Sequence, residues 1–184
     1  MLILQSETGR RTLIDLYLLE ALEAEQDKIA VFCEAHIGPV AVTPQTKVHG
    51  DLDYLITVER KIVKYSLLIS LATSEIARVE RLRRSGFPTS GKFVIVEAKK
   101  DETFGAASGQ LLAELKAIWN MNQQEESIGV LSDGLRWQFW VLSASGSTCY
   151  TSKTLHHDFE CTTILGLLKP MLRGRIPAGV IKKD

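Results

Sequence analysis

The chain has 184 residues, balances 22 Lys+Arg against 22 Asp+Glu for a formal charge of zero, and is 45% hydrophobic. Those proportions describe an ordinary globular protein and exclude a disordered chain, because enough apolar residue is present to offset the entropy of ordering. With 13 Gly and 5 Pro in no regular period, a collagen-like fibre is excluded as well.

No uninterrupted apolar run approaches the roughly 18 residues a membrane span needs, so no membrane association is expected. Met1–Leu4 has no basic region ahead of it and is too short an apolar stretch to predict a signal peptide. The three cysteines, Cys33, Cys149 and Cys161, are widely spaced and odd in number. That pattern predicts no disulfide framework or zinc site, small buried thiols, and an intracellular, reducing compartment, cytoplasmic or nuclear.

In chain order, a first helix is expected within about residues 7–26, with Leu13, Leu16, Tyr17 and Leu19 as its apolar stripe. Thr12 and Asp15 resemble a capping box that would start it near residue 13; Ser6 is the alternative start. Ile29–Ile37 reads as a strand broken by Gly38-Pro39, and Gly50–Val58 as a second strand with cleaner alternation. Residues 59–91 read as an insertion ending in a basic helix that Gly86-Phe87-Pro88 stops. Lys92–Lys99 is a third strand, and its Phe-Val-Ile-Val run predicts a central, buried position. A helix over about 107–121 follows, then strands at Ile128–Leu131 and Arg136–Leu142 around the turn signal Asp133-Gly134. A last helix, over about 160–172, is interrupted by Pro170. Trp137 and Trp140 should face opposite sides of their strand and pack into the structure, and His156-His157 reads as a surface turn. The succession of elements predicts a single α/β domain of two or three layers.

Charge is unevenly distributed. Residues 59–100 hold ten basic and four acidic side chains, a net +6, which leaves −6 for the rest. Such a segment is either a nucleic-acid face or a solvated basic helix.

The residues that carry chemistry lie on two of the strands. Glu97 and Lys99 share one strand face, and an ionised pair at the end of a greasy strand is costly without a partner or a task. Asp51 and Asp53 share a face opposite Leu52, Tyr54 and Ile56. If the strands are neighbours, Asp53, Glu97 and Lys99 converge. Two carboxylates suit Mg²⁺ and leave positions for water and a phosphate oxygen. A nearby ammonium can stabilise a phosphoryl group in its transition state. The plainer readings are an exposed acidic strand edge and a surface ion pair.

Gly50-Asp-Leu-Asp-Tyr54, Val94-Ile-Val-Glu-Ala-Lys-Lys100 and Gln110 together resemble the PD-(D/E)XK nuclease superfamily over roughly residues 5–142. Glu97-Ala-Lys-Lys100, the Gln110–Lys116 segment and Gly129–Trp137 are similar to nuclease-like domains of Crinkler-type effectors and restriction-endonuclease-like proteins. The resemblance implies a restriction-endonuclease-like core over 1–184, a mixed central sheet flanked by helices, with the insertion around 59–91. It implies an Mg²⁺- or Mn²⁺-dependent nuclease acting on DNA, with Asp53, Glu97, Lys99, Gln110 and Glu7 as catalytic residues. Asp53, Glu97 and Glu7 would hold the metal, Glu20 being the alternative leading-helix acid. Arg78, Arg81, Arg83, Arg84 and Lys100 would face DNA, and a homodimer is allowed. Leu52 stands where the motif has Pro, and the Asp53–Glu97 gap is long. Glu7 is equally explained as a first-turn charge paired with Arg11.

Overall fold

The computed structural model describes residues 6–23, 29–58, 92–99, 103–121 and 125–177. Its elements are α1 (Glu7–Leu22), β1 (Ile29–Ala41), β2 (Lys47–Val58), β3 (Lys92–Ala98), α2 (Ser108–Met121), β4 (Ser127–Ser132), β5 (Arg136–Leu142), β6 (Cys149–Thr151), β7 (Leu155–His156) and α3 (His157–Leu172). The seven strands form one open sheet in the order β1-β2-β3-β4-β5-β6, with β7 also paired to β5. Only β3 and β4 are parallel, so the sheet is mixed. Among the described residues no helix is long and apolar enough to cross a membrane.

The architecture has three layers. On one face of the sheet, Ile14, Tyr17, Leu18 and Ala21 of α1 and Ile164, Leu168, Met171 and Leu172 of α3 pack on Ile56, Val94, Val96 and Phe139. On the other, Leu111, Leu115, Ile118 and Trp119 of α2 cover Leu55, Phe93, Ile95 and Leu142. Val94 and Val96 therefore face α1 and α3 while Phe93 and Ile95 face α2, as the pleat requires. A strand covered on both faces must be apolar throughout, which is why β3 reads as an unbroken run. Trp137 and Trp140 lie in opposite layers, as their odd spacing demands.

Several expectations are corrected. The Ser6 hydroxyl, not Thr12, caps α1 by accepting from the Gly9 N–H at 3.0 Å, so Glu7 opens the helix. The buried stripe of α1 runs through Ile14, Tyr17 and Leu18, whereas Leu16 and Leu19 are 57% and 66% exposed. Gly38-Pro39 does not end β1. The strand continues to Ala41 through a register shift between Ile37 and Val40, and β1 is an edge strand, where a missing N–H is tolerated. α3 opens with a short turn at His157, kinks at Glu160 (φ −129°, ψ 22°), so that its main part starts about where expected, and runs through Pro170, which sits in its last turn. None of the cysteines is fully buried, although all are unpaired. Instead of forming an isolated turn, His157 meets the Tyr17 hydroxyl through Nδ1 at 2.8 Å and so ties α3 to α1.

The turn between β4 and β5 fixes α1 on the sheet. The Oδ1 of Asp133 accepts the N–H groups of Leu135 and Arg136, and Oδ2 accepts from Arg10 at 3.1 Å and from Nε and Nη2 of the Arg136 guanidinium. Asp133 is 1% exposed. Gly134 adopts φ +84°, and a Cβ there would stand 2.8 Å from the Arg10 carbonyl oxygen, so both the turn and the approach of α1 require glycine.

Candidate functional site

β2 and β3 are paired from Val58↔Lys92 to Tyr54↔Val96, and there the ladder stops. Beyond it the two strands open, and the next backbone donor on β3 needs a partner. Asp53 supplies one: its Oδ2 accepts the Ala98 N–H at 2.9 Å. Its Oδ1 accepts from the Arg11 guanidinium on α1. Asp53 thus stands at the mouth of the fork, reachable from both layers.

The local backbone explains how it gets there. Strict alternation would place Leu52 with Tyr54 and Ile56. Instead Leu52 packs in the α2 layer while Tyr54 and Ile56 pack in the α1 layer. The switch falls at Asp53, which lies level with Glu34, the one non-glycine residue of positive φ (+52°) among the described residues. Cys33↔Tyr54 and Ala35↔Leu52 are paired, and the pair between them is missing. Asp51, expected beside Asp53, lies outside the fork, its carboxylate on its cross-strand neighbour His36 at 2.8 Å.

Glu97 follows the regular pleat of β3 into the α2 layer. It is 1% exposed, and its Oε1 accepts from the Lys99 ammonium and from the Gln110 side-chain amide, the latter at 2.8 Å. The same Gln110 nitrogen donates to Glu114 Oε1 at 2.8 Å. Gln110 itself is exposed. It roofs two buried acids, because Glu114 is only 5% exposed. The Oε2 atoms of both Glu97 and Glu114 are buried without a hydrogen-bond partner.

Burial, first of all, raises the Glu97 carboxyl above its ordinary range; the Asp53 charge adds to the rise and Lys99 opposes it. Burial, reinforced by the Glu97 charge, pushes Glu114 up to about 7. Asp53, Glu97, Glu114 and Lys99 therefore act on one another as a single cluster.

Of the expected site residues, Asp53, Glu97, Lys99 and Gln110 come together. The side chain of Glu7 lies outside the described residues, as do Arg78, Arg81, Arg83, Arg84 and Lys100 and the whole 59–91 insertion. Glu20, the alternative to Glu7, is engaged in an exposed ion pair with Lys169 at 3.0 Å. Two members of the cluster were not anticipated. Arg11 was read only as a helical neighbour of Glu7. Glu114 had a signal that was passed over: it lies within the apolar stripe of α2, three residues after Leu111 and four before Ile118.

The donors gathered here are carboxylate oxygens, the kind that a small, hard divalent cation takes. Glu97 brings one buried unpartnered oxygen, and cations of the chain itself already meet the other oxygens of Asp53 and Glu97. Among the described residues no group of three or more His, Cys, Asp or Glu side chains is arranged around one metal position. An ion here would rest on two protein carboxylates and complete its shell with water. Beside Asp53, a cleft of about 530 Å³ opens between α1 and the β1–β2 pair, lined among others by Thr8, Arg11, Asp15 and Glu34. No protein-family model and no curated protein matches this chain.

Proposed function

We propose that the chain is a divalent-metal-dependent nuclease with a restriction-endonuclease-like core, hydrolysing phosphodiester bonds in DNA. The observation that supports this reading best is the meeting of Asp53, Glu97, Lys99 and Gln110 where β2 and β3 part. Four residues named from motif spacing alone arrive there from two strands and a helix. The sheet order, with Asp53 and Glu97 on adjacent strands, also suits such a core.

In this reading Asp53 and Glu97 hold Mg²⁺ or Mn²⁺. The bound ion supplies an acidified water and offsets phosphate charge. Lys99, 22% exposed at its side chain, reaches outward from Glu97 and donates to the phosphoryl oxygens as their charge grows. Water adds to phosphorus, one P–O ester bond breaks, and the leaving oxygen departs with a proton. Gln110 holds the Glu97 carboxylate in place by its amide hydrogen bond. The basic residues Arg78, Arg81, Arg83, Arg84 and Lys100 would bind the polyanion nearby, and a homodimer is compatible with the scheme.

The second reading is a nuclease fold whose site is idle and which binds nucleic acid or a protein. It is favoured by the full occupancy of Asp53, both of whose oxygens are taken by Arg11 and the Ala98 N–H. A plasmid-nicking assay with Mg²⁺ or Mn²⁺ separates the two. Nicking that chelator and Asp53→Asn both abolish is expected. Intact plasmid under every divalent ion would leave the binding reading.

A further inference from the structure

Arg11 is in an unusual position for a structural arginine. Its guanidinium meets Asp53, and a second nitrogen lies 3.8 Å from Glu34, yet its Nε–H is buried without a partner. Arg11 also lines the cleft beside Asp53, and of the residues lining that cleft it alone is basic, against the acids Asp15, Glu34 and Asp53. Without an added cation this cleft carries an excess of negative charge and repels phosphate. A divalent ion on Asp53 would change both facts: it would compete for the carboxylate Arg11 holds and cancel the excess negative charge.

We propose that Arg11 is a two-position cation. With no divalent ion it neutralises Asp53, and when an ion takes that carboxylate it turns into the cleft and binds a phosphate of the DNA strand. The proposal rests on the nuclease reading and adds to it the place where the substrate backbone lies. The chemistry fits the new partner. A guanidinium presents Nε–H and one Nη–H as a fork that matches two phosphate oxygens, and the Nε–H that is unpaired against Asp53 would gain an acceptor. The cleft, of about 530 Å³, is flanked on α1 by the exposed Thr8 and Thr12.

The test uses the full chain and two ligands. By calorimetry, Arg11→Gln should bind Mn²⁺ on the order of tenfold more tightly than wild type, because the competing cation is gone. A single-stranded DNA oligonucleotide is then titrated in the Lys99→Ala background, which should cleave it at least about a hundredfold more slowly. In Mn²⁺, Arg11→Gln should weaken its binding about tenfold or more, the loss expected for a charge-assisted pair. In chelator, Arg11→Gln should leave DNA binding unchanged, since Arg11 is then engaged by Asp53. The dependence on the ion separates this from a plain loss of charge, which would weaken DNA binding equally in both conditions. Equal Mn²⁺ affinity, or an equal DNA loss with and without the ion, overturns the proposal. Arg11→Lys, which keeps the charge and loses the fork, should move both quantities in the same directions by less, and it serves if Arg11→Gln does not fold. Asp53→Asn locates the failure. If it binds Mn²⁺ as wild type does, the nuclease reading falls and this inference falls with it. If Asp53→Asn loses the ion while Arg11→Gln behaves as wild type, only the role of Arg11 is wrong.

Discussion

Two regions of this molecule bury carboxylates almost completely, and they treat them in opposite ways. Asp133, 1% exposed, has every acceptor site engaged, by two backbone N–H groups and two arginines. Glu97 and Glu114, equally enclosed, share one amide nitrogen, and each keeps an oxygen with no partner. Desolvation is similar in both places, so the difference lies in compensation. Full pairing makes a buried acid a pin between elements, here between α1 and the β4–β5 turn. Incomplete pairing favours the protonated form, or a cation that arrives from outside. The degree of pairing therefore distinguishes an acid that holds the fold from acids held ready for chemistry.

The largest expected effect comes from removing the pin. Asp133→Ala removes the carboxylate that Arg10, Arg136 and two backbone N–H groups share, and an arginine cannot shed its proton to compensate. The loss should be about 3–5 kcal/mol, the range for breaking a buried pair from one side. Urea unfolding measures it, and a change under about 1 kcal/mol would mean that the arginines find water instead.

The underpaired region should respond to pH instead. Glu114 rises in the fold from 4.5 to about 7, so the folded state holds a proton that the unfolded chain releases. Its contribution is complete below about pH 4.5 and is lost as pH climbs through about 7. Glu114→Gln removes that dependence. Relative to wild type the variant should gain up to roughly 3 kcal/mol at pH 8 and almost nothing at pH 4. Parallel stability–pH curves for the two proteins would show that Glu114 stays ionised.

A smaller effect on the fold, but a decisive one on activity, is expected at Lys99. Its ammonium works on a charge that develops only in the transition state, so Lys99→Ala should lose cleavage by about a hundredfold or more. DNA affinity and stability should change little, because Glu97, unlike an arginine, can take up a proton when its partner leaves. A variant that nicks plasmid at the wild-type rate would remove Lys99 from the chemistry.

What was legible beforehand follows from the range of each interaction. β3 and α2 were plain because burial on two faces, or on one stripe, repeats along the chain at a fixed period. The grouping of Asp53, Glu97, Lys99 and Gln110 was legible because strand parity and adjacency limit where such side chains can go. β6 and β7, of three and two residues, carry too little pattern to be recognised. Asp133 was read as a turn former, which it is, but its link to Arg10 spans 123 positions and leaves no local trace. Arg11 and Asp53 meet for a similar reason: the irregularity at Glu34 and the end of the β2–β3 ladder are tertiary outcomes. The start of α1 stayed open between Thr12 and Ser6 because the two offer the same cap chemistry, and only packing chooses between them.

The outer margin of β1 has a consequence for crowded solution. A thirteen-residue strand at the border of a sheet is a template on which a neighbouring molecule could grow another strand. Growth of that kind needs an even row of donors and acceptors along a flat ribbon. Here the ribbon is interrupted twice, by the left-handed turn of Glu34 and by the bulge that carries Gly38 and Pro39, and Pro39 has no N–H to offer. Among the described residues the border is thus cut into short lengths, which opposes the register match that a passing strand needs.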